Sequence, residues 1–253
     1  MKINVATYFF LFVLLVSPYI CAQNETSFNL GKEAYKTENY QEAISQWQEI
    51  LNAGEHSAEL YFNLGNAHYK LNNIGPSIYY YEKALQLDPY DLDIQNNLAF
   101  AENARVDAIE PLPQNVFKTW YRSVSGVFNY NGWAINAAIF SFIFVLLFLL
   151  YYYSASERKK RILFAASIAT LFFLVASITL AFMTYSDYQK NNPAIIYSEK
   201  VEVKDAPSVG GEVTFVIHEG TKVQLLERDD EWVRIRLEDG KDGWVPLTDL
   251  KEL

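Results

Sequence analysis

The sequence predicts a multi-domain chain: an α-helical repeat domain, a transmembrane helical hairpin and a small all-β barrel. Three observations carry that expectation. Leu30-Gly31 recurs 34 positions later as Leu64-Gly65, and 34 later again as Leu98-Ala99. Two long runs, residues 133–153 and 162–185, contain no charged residue. From residue 194 onward the pattern changes to short alternating segments broken by Gly-containing turns, the period of half-buried strands.

The chain starts with Lys2, an apolar stretch from Tyr8 to Val16, and then Ile20-Cys21-Ala22. This reads as a secretory signal peptide over residues 1–22, cleaved after Ala22, with an uncleaved anchor as the alternative. Bulky Ile20 argues against lipidation of Cys21, the only cysteine, so a mature chain would hold no disulfide. Asn24-Glu25-Thr26 matches a glycosylation triplet, which matters only in a eukaryotic secretory pathway.

Residues 23–108 carry the echo. Ala43 aligns with Ser77, Trp47 with Tyr81 and Ile50 with Ala84, all at the same offset. The second unit reads Tyr61, Leu64, Gly65, Ser77, Tyr81, Ala84, Pro89; the first, with Ser27 and Glu55 at its ends, departs there. These positions and the period resemble the tetratricopeptide repeat, a helix–turn–helix unit that buries its apolar face only by stacking on a neighbour. Two repeats and a closing helix, about Leu92 to Val106, are expected. The resemblance implies that the first helix of each unit lines a groove. In the 34-residue register these positions are Phe28, Lys32 and Tyr35, then Asn63, Asn66, Tyr69 and Lys70, then Asn97 and Phe100. Asn side chains can pair with an extended peptide backbone, and Lys32 and Lys70 could meet a carboxylate. Tyr35 and Tyr69 have inter-helix packing as their alternative.

Residues 109–132 form a linker, with the stiff Glu110-Pro111-Leu112-Pro113 followed by an aromatic and basic stretch, Phe117 to Arg122, suited to the headgroup level of a membrane. Residues 133–153 and 162–185 are each long enough to cross about 30 Å of hydrocarbon as a helix. Ala165/Ala169 and Ser177/Ala181 would allow close helix approach. The loop between them, residues 154–161, carries Arg158, Lys159, Lys160 and Arg161, which the positive-inside rule puts in the cytoplasm. Signal and loop agree: residues 23–132 and 193–253 lie on the outer side. Net charge follows the same division, −9 over residues 23–110, +5 over 111–192 and −6 over 193–253. Neither acidic part offers a basic face to nucleic acid.

Residues 193–253 read as five short strands. Val203-Lys204-Asp205-Ala206-Pro207, Gly220-Thr221, Trp232-Val233-Arg234-Ile235 and Gly243-Trp244-Val245 resemble the bacterial SH3 family, with Lys204 where an Arg is usual. The resemblance implies binding of cell-wall peptides or of proteins. Trp232 and Trp244 are the candidate contacts, with at least one of them expected in the core.

Chemistry is not indicated. The one Cys sits in the signal, His56, His68 and His218 fall in separate contexts, and neither HExxH, G-x-S-x-G nor a phosphate-cradling loop occurs. No catalytic residue, metal or cofactor is expected. A hydrolase with an unrecognised carboxylate site is the remote alternative.

The order of modules resembles the BatE-type proteins of the Bacteroides aerotolerance group. That resemblance implies a Gram-negative inner membrane, partner Bat proteins with von Willebrand factor A-type domains beside a MoxR-type ATPase, and a role in stress or oxygen tolerance. The sequence reading is therefore a periplasmic scaffold whose repeats grip a partner protein while the SH3-like module grips a second protein or folds back on the repeats, with a sensor of peptidoglycan peptides as the alternative.

Overall fold

The computed structural model describes residues 25–113 and 115–253; the expected signal peptide, Cys21 and Asn24 lie outside the described residues. The N-terminal part is five helices: α1 (residues 25–36), α2 (Tyr40–Asn52), α3 (Ala58–Lys70), α4 (Ile74–Leu87) and α5 (Leu92–Asn103). α4 starts 34 residues after α2 (Tyr40 to Ile74), and α5 starts 34 after α3 (Ala58 to Leu92).

The echo has a steric cause. A Cβ at Gly31 would sit 2.3 Å from Trp47 Nε1, and one at Gly65 would sit 2.6 Å from the Tyr81 ring. Each glycine lets the aromatic of the next helix lie flat on the backbone. Trp47 Nε1 then donates to the Phe28 carbonyl at 3.2 Å, and Ser77 Oγ donates to the Gly65 carbonyl at 2.9 Å. The turns repeat as well. Glu38 (φ 63°) and Asn72 (φ 60°) occupy equivalent left-handed positions between the two helices of each unit. Ser57 caps α3, and the Asp91 carboxylate caps α5 through Asp93 N and Ile94 N. Helix α5 stops at Asn103, short of the expected Val106, and Asp107 beyond it is held by the barrel.

That barrel has seven strands rather than five: β1 (Pro193–Ile196), β2 (Lys200–Lys204), β3 (Val213–His218), β4 (Lys222–Asp229), β5 (Trp232–Arg236), β6 (Asp242–Pro246) and β7 (Leu250–Glu252). The order in the antiparallel sheet is β3-β2-β6-β5-β4-β1-β7. Gly220 (φ 81°) and Gly240 (φ 89°) make the two turns that their sequence contexts suggested. Gly243 lets β6 approach β2, since a Cβ there would meet Val203 Cγ1 at 2.5 Å. One of the two extra strands, β1, has a physical explanation. Ala194 and Ile196 enter the barrel core while Ile195, between them, enters the core of the helical repeats. A strand buried on both faces shows no polar alternation, so Ala-Ile-Ile gave no period-two signal.

Repeats and barrel thus form one compact unit, and Leu112–Asn191 forms a second. The second contains α6 (Val116–Ser125), α7 (Tyr130–Tyr153) and α8 (Glu157–Lys190). α7 and α8 are both long and apolar enough to cross a membrane. They pack along Ala137, Ser167, Thr170 and Ser177, with Phe140 stacked on Phe173 at 5.6 Å. Ala165 and Ala169 are exposed instead, because the 3-4 spacing from Ser167 through Thr170 to Ser177 turns them away from α7. Ser167 and Thr170 bond back to their own helix at Leu163 O and Ala166 O, so neither hydroxyl is left unpaired. The expected eight-residue loop shrinks to Ser154-Ala155-Ser156. Residues 157–161 hold no Gly or Pro, and α8 continues through Arg158–Arg161.

Candidate functional site

The face formed by α1, α3 and α5 carries the residues that the repeat register selected, and the structure sorts them. Phe28 is half-buried against Trp47, their ring centroids 6.5 Å apart. Lys32 remains exposed, with its ammonium 5.4 Å above the Phe28 ring and 4.0 Å from Glu59. Tyr35 packs edge-on against Tyr40 at 5.2 Å and beside Trp47, a core role rather than a groove role. Burial, helped by Tyr40, pushes its phenol pKa up. Asn66 is committed to holding helices together: its carbonyl oxygen accepts from Tyr81 O–H at 2.7 Å and from Asn97 Nδ2 at 3.1 Å. One polar link therefore ties α3, α4 and α5, and it uses the carbonyl oxygens of neither Asn63 nor Asn97. Tyr69 (37% exposed), Lys70 and Phe100 (62% exposed) stand open, and Asn63 is half-buried beside them.

The opposite side of the repeats is occupied. The tip of the barrel, Glu219-Gly220-Thr221, sits on the first turn of α4. A Cβ at Gly75 would meet the Ile196 carbonyl at 2.8 Å, and one at Gly220 would meet Ile78 Cδ1 at 2.9 Å. At Gly75 the approach is to backbone, the Ile196 carbonyl and Gly220 N, whereas at Gly220 it is to the side chains of Ile78, Arg105 and Ile74. Asn73 makes no side-chain cap to α4. Instead Glu219 Oε2 accepts from Gly75 N at 2.9 Å, placing a carboxylate from the barrel at the positive end of the helix dipole. Lys222 pairs with Glu82 farther along α4. Asp107, just past α5, accepts from His218 N at 2.6 Å and from Thr221 Oγ1 at 2.8 Å, with His218 Nδ1 2.9 Å away. Burial works to raise the Asp107 pKa, but these hydrogen bonds outweigh it and hold the carboxyl below its ordinary value. Tyr197 meets Tyr79 edge-on at 5.6 Å, and the Lys251 ammonium lies 4.6 Å over Tyr197 and 5.5 Å over Tyr79. None of these residues was singled out from the sequence for a docking role. A glycine in the first turn of a helix, Gly75, is the kind of sequence signal that could have pointed to the close approach.

Behind this surface His68 stacks on Tyr80 at 5.4 Å. Burial, then the nearby Lys251 charge, lowers its pKa to about 4. A histidine depressed in the folded state takes up its proton more readily when unfolded. Its contribution to stability is therefore whole above about pH 6.5 and drains away between there and about pH 4. Denaturation midpoints of the wild-type chain should fall across that window, and His68→Phe should flatten the decline. An equal decline in the variant would show that His68 is not its source.

In the barrel neither tryptophan enters the core. Both are half-buried, contrary to the expectation that at least one is a core residue, because the core is filled by the opposite strand face, Val233, Ile235 and Val245. Trp232 lies 5.6 Å under the Lys204 ammonium and borders an open cavity of about 660 Å³ with Pro207, Asp229, Asp230 and Glu231. Trp244 is opposite Lys204 on β2 and Arg234 on β5.

Comparison with known proteins agrees with this architecture. Residues 58–91 match the family model of the tetratricopeptide repeat, and residues 199–251 match that of the bacterial SH3 domain. The repeat match covers α3 and α4, the unit with the fuller signature. No significant match was found to any curated protein. Among solved structures, an NlpC/P60 family protein from Bacillus cereus is 17% identical, with 28% of this chain and 23% of that one covered at a TM-score of 0.22. The C-terminal SH3 domain of myosin IB from Entamoeba histolytica is 24% identical, with 21% of this chain and 90% of that one covered at a TM-score of 0.16. The chain thus spans under a quarter of the bacterial protein's length.

Proposed function

We propose that this chain is a membrane-anchored, non-enzymatic scaffold whose repeat groove holds an extended segment of a partner protein. The observation that carries this reading is the position of the barrel on the outer side of α4. It leaves Asn63, Tyr69, Lys70 and Phe100 available on α3 and α5. A folded module that covers one side of a two-repeat array makes the array rigid, and a rigid groove loses less entropy on binding. Tyr69→Ala together with Phe100→Ala should reduce recovery of the partner from native membranes about tenfold or more, the loss expected when two aromatic contacts are truncated. Undiminished recovery would rule the groove out.

Chain connectivity supports anchoring by an even number of spans. The α7–α8 hairpin is inserted between two segments that fold into one unit, an arrangement that two spans with both ends on one side of a bilayer accommodate. The periplasmic side is supported by Arg158–Arg161 at the hairpin's tip, where the positive-inside rule favours the cytoplasm. Partnership with Bat-type membrane proteins, in an envelope complex serving aerotolerance or stress, is the finer form of this proposal and rests on module order.

The second reading is a sensor of peptidoglycan stem peptides through the barrel, favoured by half-exposed Trp232 beside its cavity. Titrating the detergent-solubilised full chain with muropeptides tests it. A fluorescence change that Trp232→Leu removes would support it, and no change in the wild type would reject it.

A further inference from the structure

Helix α6 has an apolar flank that no described part of the protein covers. Val116, Phe117 and Trp120 are 82%, 83% and 67% exposed. At 100° per residue, Val116, Trp120, Val124 and Phe117 fall on one side of the helix, and Lys118, Arg122 and Ser125 on the other. The Trp133 indole N–H donates to the Ser125 carbonyl at 3.1 Å, which fixes the end of α6 against the start of α7. An amphipathic helix tied to the mouth of an apolar span belongs in the bilayer–water interface, with its apolar flank turned to lipid and away from the hairpin.

The cationic flank lines a cavity of about 620 Å³ bounded by α6, the beginning of α7 and the end of α8. Lys118 and Arg122 are one helical turn apart on its wall, and neither forms an ion pair among the described residues. The one carboxylate in the lining, Asp187, already accepts from Tyr121 O–H at 2.7 Å. Two cations against one carboxylate leave a single positive charge, which matches one phosphodiester. A guanidinium presents two parallel donors to phosphate oxygens and an ammonium adds a point charge. Tyr130 and Tyr188, 5.3 Å apart in centroids, supply an aromatic wall at the same level.

The geometry points to a binding site for the phosphodiester headgroup of an anionic bilayer phospholipid, held between Lys118 and Arg122 with its acyl chains beside α7 and α8. The inference rests on the reading that these two helices span the bilayer. Native mass spectrometry of the detergent-solubilised full chain tests it with phosphatidylglycerol, phosphatidylcholine and inorganic phosphate as probes. The wild type should retain one phosphatidylglycerol under activation that strips phosphatidylcholine. Lys118→Gln with Arg122→Gln should lower that retention about tenfold or more, as losing charge-assisted hydrogen bonds predicts. Neutralising Arg158–Arg161 should leave it intact. Equal retention by the Lys118/Arg122 variant, equal retention of phosphatidylcholine, or binding of inorganic phosphate as tight as that of the lipid would each overturn the inference. Alkaline carbonate extraction separates the two layers. If the wild type leaves the membrane, the spanning reading fails; if it stays yet shows no lipid preference, only the headgroup site fails.

Discussion

Gly65→Val is expected to cost the repeat domain about 3 kcal/mol, the upper end of what overpacking a close-packed core costs. A Cβ at this position would lie 2.6 Å from two atoms of the Tyr81 ring, and Tyr81 is itself 1% exposed. The ring cannot retreat without breaking its hydrogen bond to Asn66, which also anchors Asn97 of α5. The strain therefore passes from α3 to α4 and α5 together. Gly210→Val provides the contrast: nothing lies within 4 Å of a Cβ there, and the change should stay within about 0.5 kcal/mol. Denaturant titration of the solubilised chain, followed by helical circular dichroism, compares the two. Equal midpoints would mean that the glycine of the repeat has no packing role.

Ile195→Ala is expected to be as damaging, at about 2–5 kcal/mol for a large-to-small change in a close-packed interior. Its distinguishing feature is where the damage appears. Ile195 belongs by sequence to the barrel, but its fully buried side chain lies in the cluster with Leu64, Ile78 and Tyr81. Hydrogen exchange should therefore quicken in α4 as well as in β1. Val233→Ala, in the barrel's own core, should act on the barrel first. If Ile195→Ala left α4 protection unchanged, repeats and barrel would be separate folding units.

Much of this fold could be read from the sequence because its signals are local and repeated. The 34-residue offset, the uncharged runs and the Gly-centred turns each reflect a constraint within one element or between adjacent ones. What could not be read lies between distant segments. Ile195 looks like any strand residue until the strand is known to be buried on both faces. Glu219 is an ordinary turn acid until it caps α4 from 144 positions away. Asp107 is an ordinary acid just past the closing helix until His218 and Thr221 close on it. The groove was partly readable for the same reason. Register identified the face, but it could not tell that Tyr35 and Asn66 are committed to packing while Tyr69 and Phe100 are open. The tryptophans of the barrel were ambiguous because strand alternation gives two faces without saying which one is filled.

The central claim is that the open face of the repeats is where a partner binds. Photo-crosslinking in native membranes addresses it, with a benzophenone amino acid replacing Phe100 in one chain and Val216, an exposed barrel residue away from the groove, in another. The account expects a discrete intermolecular adduct from position 100, lost when Tyr69→Ala is added, and none from position 216. An adduct from position 216 with none from position 100 would contradict it.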